Sequence, residues 1–266
     1  AKGKVVSCQS NYHILFTDGF TNQIALPTVA GEQDNVTPGS WPAPGLLVDG
    51  VTPNPDNVLP DLPTGTAWPP PFKWGTKAVP DTLADVGMFY WARDLRPGVK
   101  DDVPSWSGKT PNDVDPSKDV AWWQHVNFSA LSFGSAGTLD VENQKATLDA
   151  MQPPPLPGAN LQWPDLTSPN NPPLPAGNKG AVGIDDLWHA TVNARGSFVF
   201  ATSPLEVQYG LGAILAGISN QRKSRSGAAF SGQVLSTSND IIYEPTIEPG
   251  WGGDLLGFNW PRDLTL

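Results

Sequence analysis

The stretch Tyr12-His13-Ile14-Leu15-Phe16-Thr17-Asp18-Gly19 decides the fold of this chain. It opens with a nearly continuous apolar run, which is typical of a strand buried in a parallel sheet. The run ends abruptly at Thr17-Asp18-Gly19. Because ligands of open α/β sheets gather just beyond the carboxyl ends of strands, Asp18 lies where a functional carboxylate is expected. A plain turn carboxylate is the alternative interpretation.

Downstream of this run, helical and extended patterns alternate. The expected elements are a helix capped by Asp81 and ending before Pro97, a strand at 126–133, a short helix at 141–151, a helix at 184–194, a strand at 197–201 and a helix from Ser203. Strands that alternate with helices at this spacing predict a parallel α/β layer.

The helix that begins at Ser203 has the strongest local signals. Ser203-Pro204-Leu205-Glu206 has the pattern of a capping box with proline at the first helical position. Behind it, apolar residues recur on one helical stripe, which predicts a face directed toward a core. The members of that stripe are Val207, Leu211, Ile214, Leu215 and Ile218.

Two proline-rich inserts interrupt the α/β pattern, at about 23–80 and 152–180. The chain has 29 prolines and 27 glycines, a density at which helices do not persist within the inserts. Past residue 225 the pattern becomes β-rich, with short apolar runs at 241–243 and 251–256. We therefore expect an α/β domain over 1–225 and a separate β-rich segment over 226–266.

Composition and charge exclude several classes of protein. The formal net charge of -10 disfavours a nucleic-acid partner, because affinity for phosphate comes from clustered Lys and Arg. Cys8 is the single cysteine, so the chain has no internal disulfide. No stretch reaches the roughly 18 to 20 apolar residues of a membrane span, so no transmembrane segment is expected.

Catalytic motifs are missing from the sequence. His13, His125 and His189 lie far apart without the spacing of metal ligands, and we interpret them as structural. The adjacent Asp185 and Asp186 point in different directions on a helix, so we expect a role in capping a helix N-terminus and not paired acid-base chemistry. We expect no enzyme. The 11 tryptophans keep a carbohydrate-binding module or glycosidase open as an alternative, and a structural subunit of a surface filament is another.

Five segments, in the same order, resemble the PilC/PilY family of type IV pilus tip adhesins and assembly factors. These are Cys8-Gln9 with 12–19, the helix at 84–97, the strand and turn at 123–139, the Asp185-Asp186-Leu187-Trp188-His189-Ala190 helix with 193–196, and Tyr243 with 251–256. Several motifs in one order are a specific signal, whereas Thr-Asp-Gly alone is weak. The resemblance covers most of the chain outside the inserts.

The resemblance implies a fold and a metal site. It implies the C-terminal part of a von Willebrand factor A-like open sheet over 1–225, followed by the first strands of a β-propeller over 226–266. In that family the Thr-Asp-Gly carboxylate completes the shell of a divalent cation, so Asp18 is the expected ligand of Mg²⁺ or Ca²⁺. The other ligands would come from sequence preceding Ala1 or from another chain.

The resemblance also implies a biological role. We expect an internal section of a larger, non-catalytic protein that acts in pilus assembly and adhesion at the outer cell surface. The implied partners are minor pilins, the remaining parts of the same protein upstream of Ala1 and downstream of Leu266, and a host or environmental surface. Partners of this kind would also cover an open sheet edge.

Overall fold

The computed structural model describes residues 6–19, 30–36, 51–55, 57, 59, 68–73, 78–105, 116–152, 161–166, 180–221, 229–230, 240–247 and 253–260. Backbone contacts divide the chain into two compact units, Ala1–Ile218 and Ser219–Leu266. Among the described residues, no helix has both the length and the apolar character that crossing a membrane requires.

The first unit is built on a three-stranded parallel sheet in the order β1-β2-β3. Its elements, in chain order, are β1 (Asn11–Thr17), α1 (Leu83–Trp91), β2 (Val126–Phe133), α2 (Gln144–Ala150), α3 (Ala181–Asn193), β3 (Arg195–Ala201) and α4 (Pro204–Gln221). Thr17 pairs with Ser132, and Ala201 pairs with Phe133, so the three carboxyl ends lie at one edge. The predicted α/β class is confirmed.

Burial of β1 differs from the expectation. Within the described part of the chain β1 has one neighbouring strand, its side chains alternate between exposed and half-buried, and Phe16 is 57% exposed. The central strand β2 is the buried one. The apolar run of 12–16 therefore predicted a parallel strand correctly and its burial wrongly, because sequence does not reveal which strand lies at the edge of a sheet.

The start of α1 corrects a predicted cap. Thr82, and not Asp81, is the N-cap, and Thr82 with Asp85 forms a capping box. Asp81 has a positive φ of 62°. Its carboxylate instead accepts hydrogen bonds from the backbone N–H groups of Ala30 and Gly31, at 3.0 and 2.7 Å. A short polar side chain that could cap a helix is thus used to hold a distant turn.

The helix α4 is present, but its apolar stripe is only partly buried. Its start follows the prediction in part, since the Glu206 N–H donates to Ser203 Oγ at 3.3 Å while the Glu206 carboxylate accepts from the Thr202 N–H. Ile214 is buried, whereas Leu211 and Leu215 are 39% and 49% exposed. The expectation that the whole stripe faces a core is wrong for the described part of the chain.

Aromatic side chains fill the core of the first unit. One cluster packs α3 and the sheet around Trp163 and Trp188, and the other packs α1 around Trp91 and Trp123. Trp68 and Phe72 from the first insert and Trp163 from the second are at most 3% exposed. These three side chains therefore anchor the proline-rich inserts in the core, whereas other described insert residues such as Val51, at 80% exposure, lie at the surface.

The second unit contains antiparallel strands. These are β4 (Ala229–Phe230), β5 (Asp240–Ile247) and β6 (Gly253–Trp260), in the order β4-β5-β6. The expected strand at 241–243 lies within β5, and 253–256 lies within β6. Trp251, the predicted start of the latter strand, lies outside the described residues.

Candidate functional site

Asp18 directly follows β1 at the carboxyl edge of the sheet and is exposed. The preceding Thr17 hydroxyl contacts the backbone of Gly19, with its Oγ1 3.0 Å from the Gly19 carbonyl oxygen and 3.4 Å from the Gly19 nitrogen. Asp18 is not part of any group of metal-ligating side chains within the described ranges. Its role as a cation ligand stays a prediction, and the donor set it needs is not supplied by the described residues.

An acidic cluster instead lies elsewhere in the first unit. Glu32, Asp34 and Asp85 each offer one carboxylate oxygen, and these oxygens all lie within 4.8 Å of one another. Asp85 belongs to the first turn of α1, while the other two lie in the turn at 30–36. The bonds from Asp81 hold this turn against the start of α1, and the Gln33 N–H donates to Asp85 Oδ1 at 2.6 Å.

The acidic cluster lies beside the amino ends of the strands. Asn193, the last residue of α3, donates from Nδ2 to Asp34 Oδ2 and to the Ala84 carbonyl, both at 3.1 Å. Since β3 begins at Arg195, Asp34 is close to the amino end of that strand. Asp18 follows the carboxyl end of β1, so the predicted and the observed carboxylates lie at opposite edges of the sheet.

The acidic cluster has no cationic side chain to balance it within the described residues. Burial raises the pKa of Asp34 well above its usual value, and the negative charges of Asp85 and Glu32 raise it further. Burial also raises the pKa of Asp85 to about 6, although hydrogen bonds from Gln33 and Thr82 oppose the shift. No Lys or Arg nitrogen within those ranges lies within 4.0 Å of the three carboxylates.

His189 is the nearby base, but it stays neutral. Its Nε2 lies 3.5 Å from Asp34 Oδ2 and 2.6 Å from the Phe72 carbonyl oxygen, to which it donates its proton. Burial lowers the pKa of His189 to about 3. The imidazole therefore supplies no positive charge to the cluster at neutral pH, in agreement with the structural role predicted for this histidine.

A second buried polar cluster surrounds Asp119. Its Oδ1 accepts from Trp91 Nε1 at 3.0 Å, and its Oδ2 lies 3.0 Å from Asn127 Nδ2 and 3.1 Å from His125 Nε2. His125 Nδ1 lies 2.7 Å from the Trp123 carbonyl. Both ring nitrogens thus face acceptors, which favours the doubly protonated imidazolium.

The Asp119 and His125 pair is charge-compensated. Burial would lower the pKa of His125, but the charge and hydrogen bond of Asp119 raise it overall. Burial would likewise raise the pKa of Asp119, and His125 with the Trp91 and Asn127 donors lowers it overall. No local pattern indicated that these residues meet, although Asp119, His125 and Asn127 lie within 8 positions of one another.

Asp185 and Asp186 act in packing between elements. The Asp186 carboxylate accepts from the Leu83 and Ala84 N–H groups at 3.0 and 3.2 Å, so it caps α1 from the neighbouring α3. Asp185 accepts from the backbone and hydroxyl of Thr138. The predicted helix-capping role holds for Asp186, although the helix it caps is α1 and not its own.

The tryptophans described with their side chains are buried. Trp68, Trp91, Trp122, Trp123, Trp163 and Trp188 are each at most 3% exposed. An indole that stacks on a sugar has to present its face to solvent. These six side chains therefore offer no stacking surface for a glycan.

Comparisons with known proteins find relatives among pilus factors. The chain is similar to the type IV pilus biogenesis factor PilY1 of Pseudomonas aeruginosa, at 29% identity in strain UCBPP-PA14 over 96% of this chain and 27% in strain PAK over 97%. It spans about one fifth of the length of these relatives, 20% in each case. No family model matches the chain. No solved structure matches it either.

Proposed function

We propose that the chain is a section of a type IV pilus biogenesis factor. The premise is that these relatives confirm the resemblance to the PilC/PilY family. The observation that carries the proposal is a sequence match along 96% of the chain. The protein acts at the outer cell surface, with minor pilins and the remaining parts of its own polypeptide as partners. Adhesion to a host or environmental surface is the second part of the proposed role.

The two units correspond, in this proposal, to two domains of such a factor. Parallel strands flanked by helices support a von Willebrand factor A-like sheet for the first unit. Antiparallel β4, β5 and β6 support the beginning of a propeller for the second. Asp18 remains our proposed Mg²⁺ or Ca²⁺ ligand at the carboxyl edge of the first sheet, with its partner ligands supplied from outside the described residues.

A binding role without catalysis fits the use of the polar side chains. Asp119, His125 and Asp186 are buried and engaged in hydrogen bonds that hold elements together. The six buried tryptophans weigh against the carbohydrate-binding alternative. Chemistry on a substrate requires such groups to reach a cleft, and these groups face the interior.

The exposed face of α4 supports contact with another protein. Leu205, Tyr209, Leu211 and Leu215 are 56%, 68%, 39% and 49% exposed. Neighbouring apolar side chains left in solvent mark interaction surfaces more often than single ones do. We place a contact of the assembled pilus factor on this face.

Deletion of the gene, followed by complementation, tests the proposed function. We expect the deletion to reduce surface pili, measured by shearing the cells and quantifying pilin, and a wild-type copy to restore them. Piliation and adhesion equal to wild type in the deletion strain would overturn the proposal.

Variants of α4 sharpen the test. Tyr209→Ser with Leu215→Ser is expected to fold, because both side chains are exposed, and to lower piliation. Lys145→Ser on the exposed side of α2 is the matched control and should pilate normally. Normal piliation by the α4 variant, with a deficient deletion strain, would remove the α4 contact and leave the pilus role intact.

A further inference from the structure

We propose that Glu32, Asp34, Asp85 and the side-chain oxygen of Asn193 bind a divalent cation with hard oxygen ligands, with Ca²⁺ as the occupant. We call this group the amino-edge site. It is separate from Asp18, which lies at the opposite edge of the sheet. The site joins the turn at 30–36 to the start of α1 and the end of α3.

The spacing of the carboxylates suits a calcium ion. Their ligand oxygens lie within 4.8 Å of one another. Calcium binds oxygen at about 2.3–2.6 Å, so ligands on opposite sides of the ion are about 5 Å apart. For magnesium, with bonds of about 2.0–2.1 Å, the same separation is about 4 Å. A separation of up to 4.8 Å is compatible with either ion, and we choose calcium because it accepts an irregular set of six to eight oxygen ligands, whereas magnesium demands near-ideal octahedral geometry.

Asn193 provides an observation independent of the carboxylates. Its side chain is fully buried, with 0% exposure, and its Nδ2 donates to Asp34 and to the Ala84 carbonyl. Its Oδ1 has no hydrogen-bond donor within the described part of the chain. Both atoms are bonded to the same carbon, so the unpartnered oxygen belongs to the buried side chain that contacts Asp34, and we assign it to the cation shell. A buried amide oxygen left without a donor costs about 1–3 kcal/mol, and a cation removes that cost.

Glu32 supplies a second oxygen of the same kind. Its Oε1 accepts from the Asn35 N–H at 2.9 Å, while its Oε2 is buried and has no donor among the described residues. Three buried or half-buried carboxylates without a Lys or Arg partner repel one another in a medium of low dielectric. A divalent cation compensates this charge and satisfies both orphaned oxygens at once.

Proton sharing is the competing explanation for the same geometry. One proton held between Glu32 and Asp34 would also relieve the repulsion, and it would leave the Asn193 oxygen unsatisfied. The two explanations differ in their response to calcium. Only the cation makes the local structure depend on the calcium concentration at constant pH.

Hydrogen–deuterium exchange resolved by peptide, on the full-length protein, tests the amino-edge site. Exchange is compared in EGTA and in about 10 mM CaCl₂, some ten times the weakest dissociation constants typical of extracellular calcium modules. We expect about tenfold slower exchange in peptides covering 30–36 and 83–91, because binding slows opening by 1 + [Ca²⁺]/Kd. Equal concentrations of MgCl₂ should give a smaller effect.

Three variants make the outcome decisive. Glu32→Gln and Asp34→Asn should abolish the calcium effect in these peptides, whereas Asp149→Asn, on the exposed surface of α2, should retain it. Glu32 is half-exposed, so its variant keeps the test valid if Asp34→Asn fails to fold. Calcium-independent exchange in the wild type, or equal calcium protection in Glu32→Gln and the wild type, would overturn the proposal. The first result combined with strong pH dependence would assign the cluster to a shared proton.

Discussion

The two buried polar clusters at the amino edge of the sheet differ in how the negative charge of their carboxylates is balanced. Asp119 is neutralised by the His125 imidazolium and accepts hydrogen bonds on both of its oxygens. The amino-edge site places three carboxylates together, and its nearby histidine is neutral. Asn193 and Ala194 lie between the clusters, since Asn193 donates to Asp34 and the Ala194 carbonyl accepts from Asn127.

The difference between the clusters concerns the source of the positive charge. Burying a charge is costly unless a partner compensates it. For Asp119 the chain itself provides that partner, so this cluster is complete within the protein. For the amino-edge site we propose that the partner is a cation from solution, which would give the region a dependence on calcium that the Asp119 cluster lacks.

Asp119→Asn should give the largest effect, because it removes the carboxylate from the charge-compensated cluster. Removing one partner of a buried ion pair leaves an uncompensated charge, so we expect the free energy of unfolding to fall by about 3–5 kcal/mol. Urea unfolding followed by tryptophan fluorescence measures it, because Trp91 and Trp123 lie in contact near the pair. Asp149→Asn is the surface control and should change stability by under about 1 kcal/mol. A loss below 1 kcal/mol for Asp119→Asn would contradict the ion pair.

The pH dependence of stability should distinguish Asp119, which is paired with His125, from Asp186, which has no cationic partner among the described residues. Burial raises the pKa of Asp186 to about 7. A raised carboxyl pKa stabilises the fold fully below the unfolded value of about 3.9, and this contribution is lost as the pH rises toward 7. Asp119 has a lowered pKa, so its contribution is instead lost as the pH falls below about 3.9.

Thermal unfolding in EGTA from pH 4 to pH 8 measures this contrast. We expect the wild type to lose stability between pH 4 and 7 more steeply than Asp186→Asn. The Asn variant keeps one acceptor for the start of α1 and has no charge to form. Parallel profiles for the two proteins would show that the Asp186 carboxyl does not titrate in this range.

Arg195 follows Asn193 and Ala194, the two residues that lie between the clusters. The substitution Arg195→Lys tests how much its guanidinium contributes to stability. The guanidinium lies 3.6 Å from the centroid of the Trp91 ring and 4.1 Å from that of Phe72. A planar cation buried against rings contributes up to about 2 kcal/mol, and an ammonium does not stack in the same way. We expect a loss of about 1–2 kcal/mol by urea unfolding. Arg93→Lys, whose guanidinium lies over the single ring of Phe89, is the control and should lose less.

Asp34→Asn should have the smallest effect and the most informative sign. In EGTA the substitution removes an ionisable carboxyl from a site with two others, and burial already raises the pKa of Asp34, so we expect stability to change by less than about 1 kcal/mol, in the stabilising direction. In calcium the wild type should become the more stable protein. The same Asp-to-Asn change at 119 is strongly destabilising in both conditions. A large loss for Asp34→Asn in EGTA would mean that its carboxylate is already compensated.

Local sequence patterns determined much of the secondary structure. Residues 126–133 have the composition of a strand and form β2 with the same bounds. The helix expected at 184–194 is α3, and the helix starting after Ser203 is α4. These elements follow from apolar periodicity, proline and cap residues, which act within a few positions along the chain. The resemblance to pilus factors was likewise readable from short motifs.

Only the tertiary structure decided burial and the grouping of polar residues. Asp81 has the features of a helix cap, yet its carboxylate accepts hydrogen bonds from backbone groups that lie 50 and 51 positions earlier in the chain. Asn193 and Asp34 are separated by 159 positions, and no local pattern joins them. Sequence fixes which groups can bind a charge or face a core, because that is a property of each side chain. Which groups meet depends on how distant segments pack, and this packing created the amino-edge site.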